Sequence, residues 1–310
     1  MSANKTLLKQ TLIYGIATVL PRVISFLLVG LHTDLMPKVA YGEVTILLAY
    51  MIFFNVILSY GMETAFFRFY HKEENKNEVI STATVSIFWS TVLFLCIALL
   101  FQKTLAGLLN VDKEYVNYAI WILAFDALVI IPFSKLRAEQ KAIKYSVFKI
   151  SNVIINMLLN VFLLAILPKL AHANPQGFWS TFYFEDYQIG YVFLANLIAS
   201  LFTFVLFMPH YFQPNWLFNK ELWQKMLKYG WPILFAGLAF GINEHLDKIL
   251  LSEWLDPSVA KAAVGAYSAC YKIGLFMVLF RTAYTLGIEP FFFSQAGNAN
   301  APQTYATITK

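Results

Sequence analysis

Long runs of apolar residues, separated by short polar stretches, make up most of the chain. A run of roughly 20 apolar residues is what an α-helix needs to cross a bilayer. The runs are continuous rather than alternating, which argues against the strands of an outer-membrane barrel. The pattern therefore predicts an all-α polytopic membrane protein with eight transmembrane helices. These helices are expected near residues 10–31, 43–62, 81–101, 116–134, 147–167, 189–209, 230–252 and 263–288.

The seventh apolar run, residues 228–251, contains polar and charged residues that hydrocarbon should exclude. They include Asn243, Glu244, Asp247 and Lys248. A charged side chain at mid-bilayer costs roughly 2.5 to 3.5 kcal/mol, so such residues pair with one another or line a water-filled cavity. Glu244 lies three residues before Asp247 and four before Lys248, which places all three on one helix face. We interpret this face either as a cavity or ion-coupling site, or as a structural patch that holds helices together.

Composition supports the membrane class, because 59% of the 310 residues are hydrophobic, 17% are aromatic and only 13% are charged. A soluble domain of this length has more charge. We attribute the net charge of +5 to the topology of the lysines and arginines, and nucleic-acid binding is not expected. Cys96 and Cys270 lie within apolar runs, where cysteine behaves as a small hydrophobic residue, so no disulfide framework is indicated.

Lysine and arginine are distributed unequally between the two sides of the predicted bundle. Of the 23, one set of alternating loops holds 14 and the other set holds five, while four lie inside the spans. Cytoplasmic loops carry the excess of these residues. We therefore expect a multi-pass protein of the plasma (inner) membrane with its N-terminus in the cytoplasm. The longest loop, residues 168–188, contains Trp179 and several other aromatic residues, which is typical of the outer membrane interface.

A weak internal repeat relates the first two helices to the seventh and eighth. It is carried by Tyr-Gly pairs and a Gly-Ala-Tyr group at residues 14–15, 41–42, 229–230 and 265–267. The first and seventh helices are both interrupted by glycine and proline. In transporters, interrupted helices at corresponding positions of two halves indicate the substrate site.

Six stretches together resemble the polysaccharide-transporter family of oligosaccharide flippases, within the superfamily that also contains multidrug and toxin extruders. They are YGIATVLPRVISFLL from Tyr14, YGEVTILLAY from Tyr41, NVILSYGMETAFFRFY from Asn55, LRAEQKAIKYSVFKISNVIINMLLNV from Leu136, KYGWPILFAGLAFGINEHLDKILL from Lys228 and VGAYSACYKIGLFMVLFRTAYTLGIEPFFFSQ from Val264. The resemblance implies two lobes around a central cavity that opens alternately to either side of the membrane. It also implies that the substrate is an undecaprenyl-pyrophosphate-linked oligosaccharide, which moves outward.

The resemblance and the residue pattern together predict a division of the chain into four parts. They are a complete N-terminal six-helix lobe (1–212), a cytoplasmic linker helix (213–228), the first two helices of a second, pseudo-symmetric lobe (229–295) and a cytoplasmic loop (296–310). Family members usually have more spans. We therefore expect that the chain is a C-terminally truncated piece and that its last loop leads to a ninth helix.

A pyrophosphate substrate requires cations in the cavity, and Arg22, Lys272 and Arg281 lie inside predicted spans. These three are the candidate substrate-binding residues. Lys272 could equally form a structural ion pair with Asp247, and Arg281 could extend its side chain to the cytoplasmic interface. Asp126, in the middle of the fourth helix, is expected to pair with a first-lobe cation or to bind a coupling ion.

The expected activity is transport rather than catalysis. The sequence has no pair of histidines at metal-ligand spacing, no Gly-rich phosphate loop and no nucleophile elbow. No cofactor is expected, although a proton or sodium gradient could drive transport. The expected partners are the lipid-linked oligosaccharide, membrane lipids, and a polysaccharide polymerase or glycosyltransferase. Two alternatives remain open: a cation-coupled multidrug antiporter on the same fold, and a membrane scaffold without transport activity.

Overall fold

The chain is predominantly helical in the part that the computed structural model describes, which comprises residues 3–212, 216–274 and 277. It divides into two compact units, Met1–Ser268 and Ala269–Lys310. Residues 269–274 and 277 of the second unit are helical. The α-helices of the first unit are α1 (Ala3–Leu35), α2 (Lys38–Ser59), α3 (Met62–Lys72), α4 (Lys76–Leu100), α5 (Gln102–Leu109), α6 (Lys113–Leu128), α7 (Ile130–Ala138), α8 (Ala142–Val161), α9 (Leu167–Ala173), α10 (Gln188–Phe212), α11 (Lys220–Trp254) and α12 (257–268).

Five helical segments in the described part of the chain are long and apolar enough to cross a membrane, judged by length and composition. They are Lys38–Lys72, Lys76–Leu100, Lys113–Ala138, Ala142–Ala173 and Gln188–Phe212. They coincide with the second to the sixth predicted spans, so the prediction of an all-helical, multi-pass membrane protein is confirmed. The first predicted span lies in α1, the seventh lies in α11, and the eighth extends beyond the described residues. The count of eight spans stays a prediction.

The second span bends where α2 meets α3. Tyr60 and Gly61 both adopt positive φ there, at 32° and 71°, a conformation that glycine accepts at little cost. Gly61 also lies against α11, because a Cβ at this position would be 2.2 Å from the carbonyl oxygen of Gly230. The bend and the close approach of α11 therefore depend on the same glycine.

A π-helical segment, Phe162–Ile166, interrupts the fifth span between α8 and α9. Pro168 follows it by two residues. Proline has no backbone N–H, and its ring excludes the carbonyl group four residues earlier, which here belongs to Leu164. A widened turn accommodates this clash, as is common for π-bulges inside longer helices. A short 3₁₀ helix, Phe178–Phe182, then follows in the connection to α10.

The two largest buried apolar clusters among the described residues stabilise the first unit. The larger one lies among α2, α6, α10 and the π-helical segment, and includes Ile122 and Phe193. The second lies among α3, α4 and the first turns of α11, which contribute Leu222 and Met226. Residues 220–228, predicted as part of a linker helix, are therefore the first turns of α11 and pack against the preceding spans.

Hydrogen bonds attach the connection between α10 and α11 to α4. Ser81 Oγ donates to the carbonyl oxygen of Leu217 at 2.8 Å. Asn219 Nδ2 donates to Glu78 Oε1 at 2.6 Å, while the Asn219 side-chain oxygen caps the start of α11. The beginning of α11 is therefore fixed to α4 by polar contacts as well as by apolar packing.

Candidate functional site

A polar cavity of about 370 Å³ lies among α6, α8 and α10, inside helices whose sequences are otherwise apolar. Its lining includes Asp126 from α6, Lys149 and Asn152 from α8, and Asn196 and Ser200 from α10. Polar and ionisable groups within membrane helices are costly, and they commonly serve ions, substrates or proton transfer. This polar cavity is therefore the candidate functional site.

The polar residues of α8 and α10 recur with helical spacing. Asn152, Asn156 and Asn160 are four residues apart on α8, and Asn196 and Ser200 are four residues apart on α10. Residues with this spacing share one face of a helix. Because α8 and α10 pack against each other, the two polar faces meet.

Direct hydrogen bonds join these two faces. Asn152 Nδ2 donates to Thr203 Oγ1 and to the carbonyl oxygen of Ala199, both at 2.9 Å. Asn156 Nδ2 donates to Asn196 Oδ1 at 3.3 Å. Hydrogen bonds between membrane helices contribute about 0.6 kcal/mol on average and at most about 2 kcal/mol. Asn152 and Asn156 therefore hold α8 against α10, and Asn152 and Asn196 also line the polar cavity.

Two carboxylates line the polar cavity, Asp126 of α6 and Glu63 of α3, and Glu63 is paired with Arg137. Ser200 Oγ donates to Asp126 Oδ1 at 2.8 Å, and Lys149, which lines the same cavity, interacts electrostatically with the carboxylate. A carboxylate with neighbouring hydroxyl and amide oxygens offers the ligands that hard cations prefer, and it is also a proton acceptor. The arrangement can therefore hold a proton or a small cation, with Lys149 as a competing positive charge.

A buried polar track continues from the cavity to α1. Asn160 Nδ2 donates to Asn156 Oδ1 at 2.8 Å, and His32 Nε2 lies 2.9 Å from Asn160 Oδ1. Asn160 is only 1% exposed. The sequence analysis did not identify the three asparagines of α8, although their recurrence every four residues within an apolar run was a usable signal.

The polar residues of α11 form an ion pair that α12 completes. Lys248 Nζ lies 3.0 Å from Asp247 Oδ1 and donates to the carbonyl oxygen of Glu244 at 3.0 Å. The Tyr267 hydroxyl donates to Asp247 Oδ2 at 2.6 Å. Lys248 is 5% exposed, whereas Asn243 is exposed. The predicted polar face of α11 therefore contains a pair that links α11 to α12.

The α12 helix crosses α2 at two glycines. A Cβ on Gly42 would lie 3.0 Å from the backbone nitrogen of Gly265, and a Cβ on Gly265 would lie 3.0 Å from that of Gly42. Beside this crossing, Lys261 Nζ donates to Glu43 Oε2 at 2.8 Å, and Glu43 is 8% exposed. Small residues allow such close backbone approach between membrane helices. Two of the four groups of the internal repeat therefore contact each other here.

Comparison with known proteins adds the family. Residues 7–286 match the family model described as polysaccharide biosynthesis protein. The chain belongs to this family. The resemblance carried by the six sequence stretches is confirmed, and the chain is a transmembrane transport protein. No curated protein and no solved structure matches the chain.

The predicted site residues that the structure describes lie on different helices. Arg22 is on α1 with an exposed side chain, and Lys272 is a half-buried residue of the second unit. Arg281 lies outside the described residues. Of the predicted residues, Asp126 lines the polar cavity, and Asp247 belongs to the α11 ion pair. In the described part of the chain, no three His, Cys, Asp or Glu side chains are grouped to hold a metal ion.

Proposed function

We propose that this protein moves an undecaprenyl-pyrophosphate-linked oligosaccharide across the plasma membrane by alternating access. The observation that carries the proposal is the family match, which extends over residues 7–286. Moving a large polar group through a membrane requires polar residues at membrane depth. The residues that line the polar cavity and the ion pair of α11 are polar groups of this kind, and they support the proposal.

Arg22 is the residue that we propose binds the pyrophosphate. It lies in the apolar part of α1, and its side chain is exposed rather than packed within the described helices. A guanidinium at this depth is costly against lipid, so water or an anionic ligand is its favourable neighbour. Arginine pairs with two phosphate oxygens at once and stays protonated. Lys272 and Arg281 stay predicted substrate-binding residues.

Asp126 is the residue that we propose couples transport to a proton or sodium gradient, because its carboxylate lines the polar cavity and accepts a hydrogen bond from Ser200. The same carboxylate would suit a cation-coupled drug antiporter, which is the second candidate function. The charge on Arg22 favours the first candidate, since it repels cationic drugs and attracts a pyrophosphate.

The test measures transfer of radiolabelled lipid-linked oligosaccharide across the membrane of proteoliposomes that contain the purified protein. Arg22→Ala should abolish the transfer, and Arg22→Lys should retain part of it, because the charge remains and the two-pronged geometry is lost. Lys103→Ala is the matched control, because Lys103 is an exposed cation on α5, and it should behave as the wild type.

Three outcomes would contradict parts of this proposal. Normal transfer by a well-folded Arg22→Ala protein would refute the role of Arg22. Efflux of a cationic dye without transfer of the glycan would favour the drug antiporter. The absence of both activities in a folded wild-type protein would leave the scaffold as the function.

We further propose that the N-terminus is cytoplasmic, on the basis of the lysine and arginine asymmetry. The test uses a background in which Cys96 and Cys270 are replaced by Ser, with single cysteines at Glu74 or Gln176, both of which are exposed. An impermeant thiol reagent added to intact cells should label the cysteine at position 176 and not the one at position 74. The reverse pattern would invert the orientation.

A further inference from the structure

An aromatic cleft of about 550 Å³ lies at the end of the bundle where α6 and α10 begin. We define the aromatic cleft by Glu114 and Tyr118 of α6, Phe162 of the π-helical segment, Trp179 and Phe182 of the 3₁₀ helix, and Tyr187. Its volume is within the range of small-molecule binding sites, which combine apolar walls with a few polar groups. The cleft is separate from the polar cavity, since the two have no lining residue in common.

Several aromatic side chains at the cleft are exposed and can contact a ligand. Three side chains of the 3₁₀ helix are exposed: Phe178 by 68%, Trp179 by 42% and Phe182 by 51%. The Trp179 ring centroid lies 5.5 Å from that of Phe162 in an edge-to-face contact. Contiguous exposed apolar surface of this kind often marks a binding site. The neighbouring π-helical segment is consistent with this, because π-bulges occur frequently at functional sites.

Hydrogen bonds fix the connection that forms one wall of the cleft. The Tyr191 hydroxyl donates to the carbonyl oxygen of Phe182 at 2.9 Å and accepts from the backbone nitrogen of Phe184 at 2.7 Å. Ser180 Oγ donates to the carbonyl oxygen of Asn174 at 2.7 Å. A wall that is already ordered reduces the entropy lost on binding, so the aromatic rings are held in position before a ligand arrives.

The polar end of the cleft consists of one carboxylate and two phenols. The Tyr118 hydroxyl donates to Glu114 Oε1 at 2.8 Å, and the Tyr187 hydroxyl donates to the same oxygen. Burial and the Glu114 carboxylate raise the pKa of the Tyr187 phenol well above its usual range, so this group remains protonated. An ionised carboxylate can accept about four hydrogen bonds, which leaves capacity at Glu114 for further donors.

The chemistry of this lining discriminates among the ligands that a membrane transporter meets. The negative charge of Glu114 repels a pyrophosphate, and a lipid chain has no donor for a carboxylate. A neutral sugar has both an apolar C–H face, which suits an aromatic ring, and hydroxyl donors at its rim. We propose that the aromatic cleft binds neutral sugar residues of the transported glycan. This inference rests on the proposed function, whose orientation would place the cleft on the outer face, where the glycan emerges.

The experiment measures binding of two probes to the purified protein in nanodiscs by microscale thermophoresis. One probe is the oligosaccharide released by mild acid from the lipid-linked glycans of the host cell, and the other is inorganic pyrophosphate. The oligosaccharide should bind, and Trp179→Ala and Glu114→Gln should each weaken this binding at least tenfold. Trp179→Phe should restore most of the affinity, since an aromatic ring remains. Pyrophosphate binding should not respond to these changes.

Trp254→Ala is the matched control, because Trp254 is a highly exposed tryptophan at the end of α11, away from the cleft lining. It should bind the oligosaccharide as the wild type does. Undetectable oligosaccharide binding, or equal binding by Trp179→Ala and the wild type, would refute the proposal that the cleft binds sugar. The fluorescence of Trp179 is the difference between the wild type and Trp179→Phe. If spin-labelled lipid quenches this difference and the oligosaccharide does not relieve the quenching, the cleft is a lipid site and the proposal is refuted.

The two proposals can fail separately. If proteoliposomes transfer the lipid-linked oligosaccharide while the cleft variants bind the released oligosaccharide normally, the sugar-binding role of the cleft is refuted and the proposed function stands. If the cleft binds the oligosaccharide but no transfer occurs, the proposed function fails. In that case the cleft would be the sugar-binding site of a protein that does not transport the glycan.

Discussion

Replacing Gly42 by Ala should force α2 and α12 apart. The new Cβ would lie 1.7 Å from the carbonyl oxygen of Lys261, which is half of the roughly 3.4 Å at which ordinary contact begins. It would also lie 3.0 Å from the backbone nitrogen of Gly265. Both neighbours are backbone atoms, so a change of side-chain rotamer cannot relieve the clash. The two helices must therefore separate.

The separation has two energetic consequences. Forcing an extra methyl group into a packed contact costs about 1 to 3 kcal/mol. It also stretches the 2.8 Å hydrogen bond between Lys261 and Glu43, and a buried acceptor that loses its partner costs about 1 to 3 kcal/mol. Because Lys261 is partly exposed and water can replace part of this bond, we expect a total destabilisation of about 2 to 4 kcal/mol.

The assay is thermal unfolding of the purified protein in detergent, followed by intrinsic fluorescence. Gly42→Ala should lower the midpoint temperature by several degrees. Gly30→Ala is the matched control, because a Cβ on Gly30 meets no atom within 4 Å. It should leave stability unchanged or raise it by up to about 1 kcal/mol, since alanine favours the helix more than glycine does. Equal midpoints for Gly42→Ala and Gly30→Ala would refute the close crossing.

Three further changes test other parts of the structure. Asp247→Asn should lower the unfolding midpoint because the buried Lys248 loses its counter-charge, and the added change Lys248→Met should recover part of the loss; a double variant less stable than the single one would contradict the ion pair. Trp223→Phe keeps the ring but removes the 2.7 Å hydrogen bond from Nε1 to Ser86, so it should cost about 1 kcal/mol in the same assay, and an unchanged midpoint would count against it. Asp126→Asn should abolish the dependence of glycan transfer on an ion gradient in proteoliposomes, and retained dependence would exclude Asp126 as the coupling residue.

The class and the helices of this protein were accessible from the sequence because they depend on local composition. A backbone in hydrocarbon must satisfy its own hydrogen bonds, so a long apolar run can only cross as a helix. The second to the sixth predicted spans coincide with helices that meet the length and composition required. The seventh predicted span also lies within a helix, α11, and its crossing of the membrane stays a prediction.

The partners of the polar residues were decided by the tertiary structure. Asn152 and Asn156 carry no charge and lie in an apolar run, so their hydrogen bonds to Thr203 and Asn196 follow from the packing of α8 on α10. Likewise, the partner of Asp126 depends on which residue of a neighbouring helix lies at the same depth. Helix rotation and tilt, which set that depth, arise from packing rather than from the sequence of one helix.

The sequence alone determined that the chain is a helical membrane protein of the polysaccharide-transporter type, because hydropathy and the order of its motifs are properties of the linear chain. The tertiary structure alone decided the crossing of Gly42 with Gly265, the hydrogen bond from Tyr267 to Asp247, and the aromatic cleft around Trp179. Each of these joins residues from different helices or connections. Their geometry exists only after those elements pack, since close approach and side-chain direction are set by the neighbouring helix.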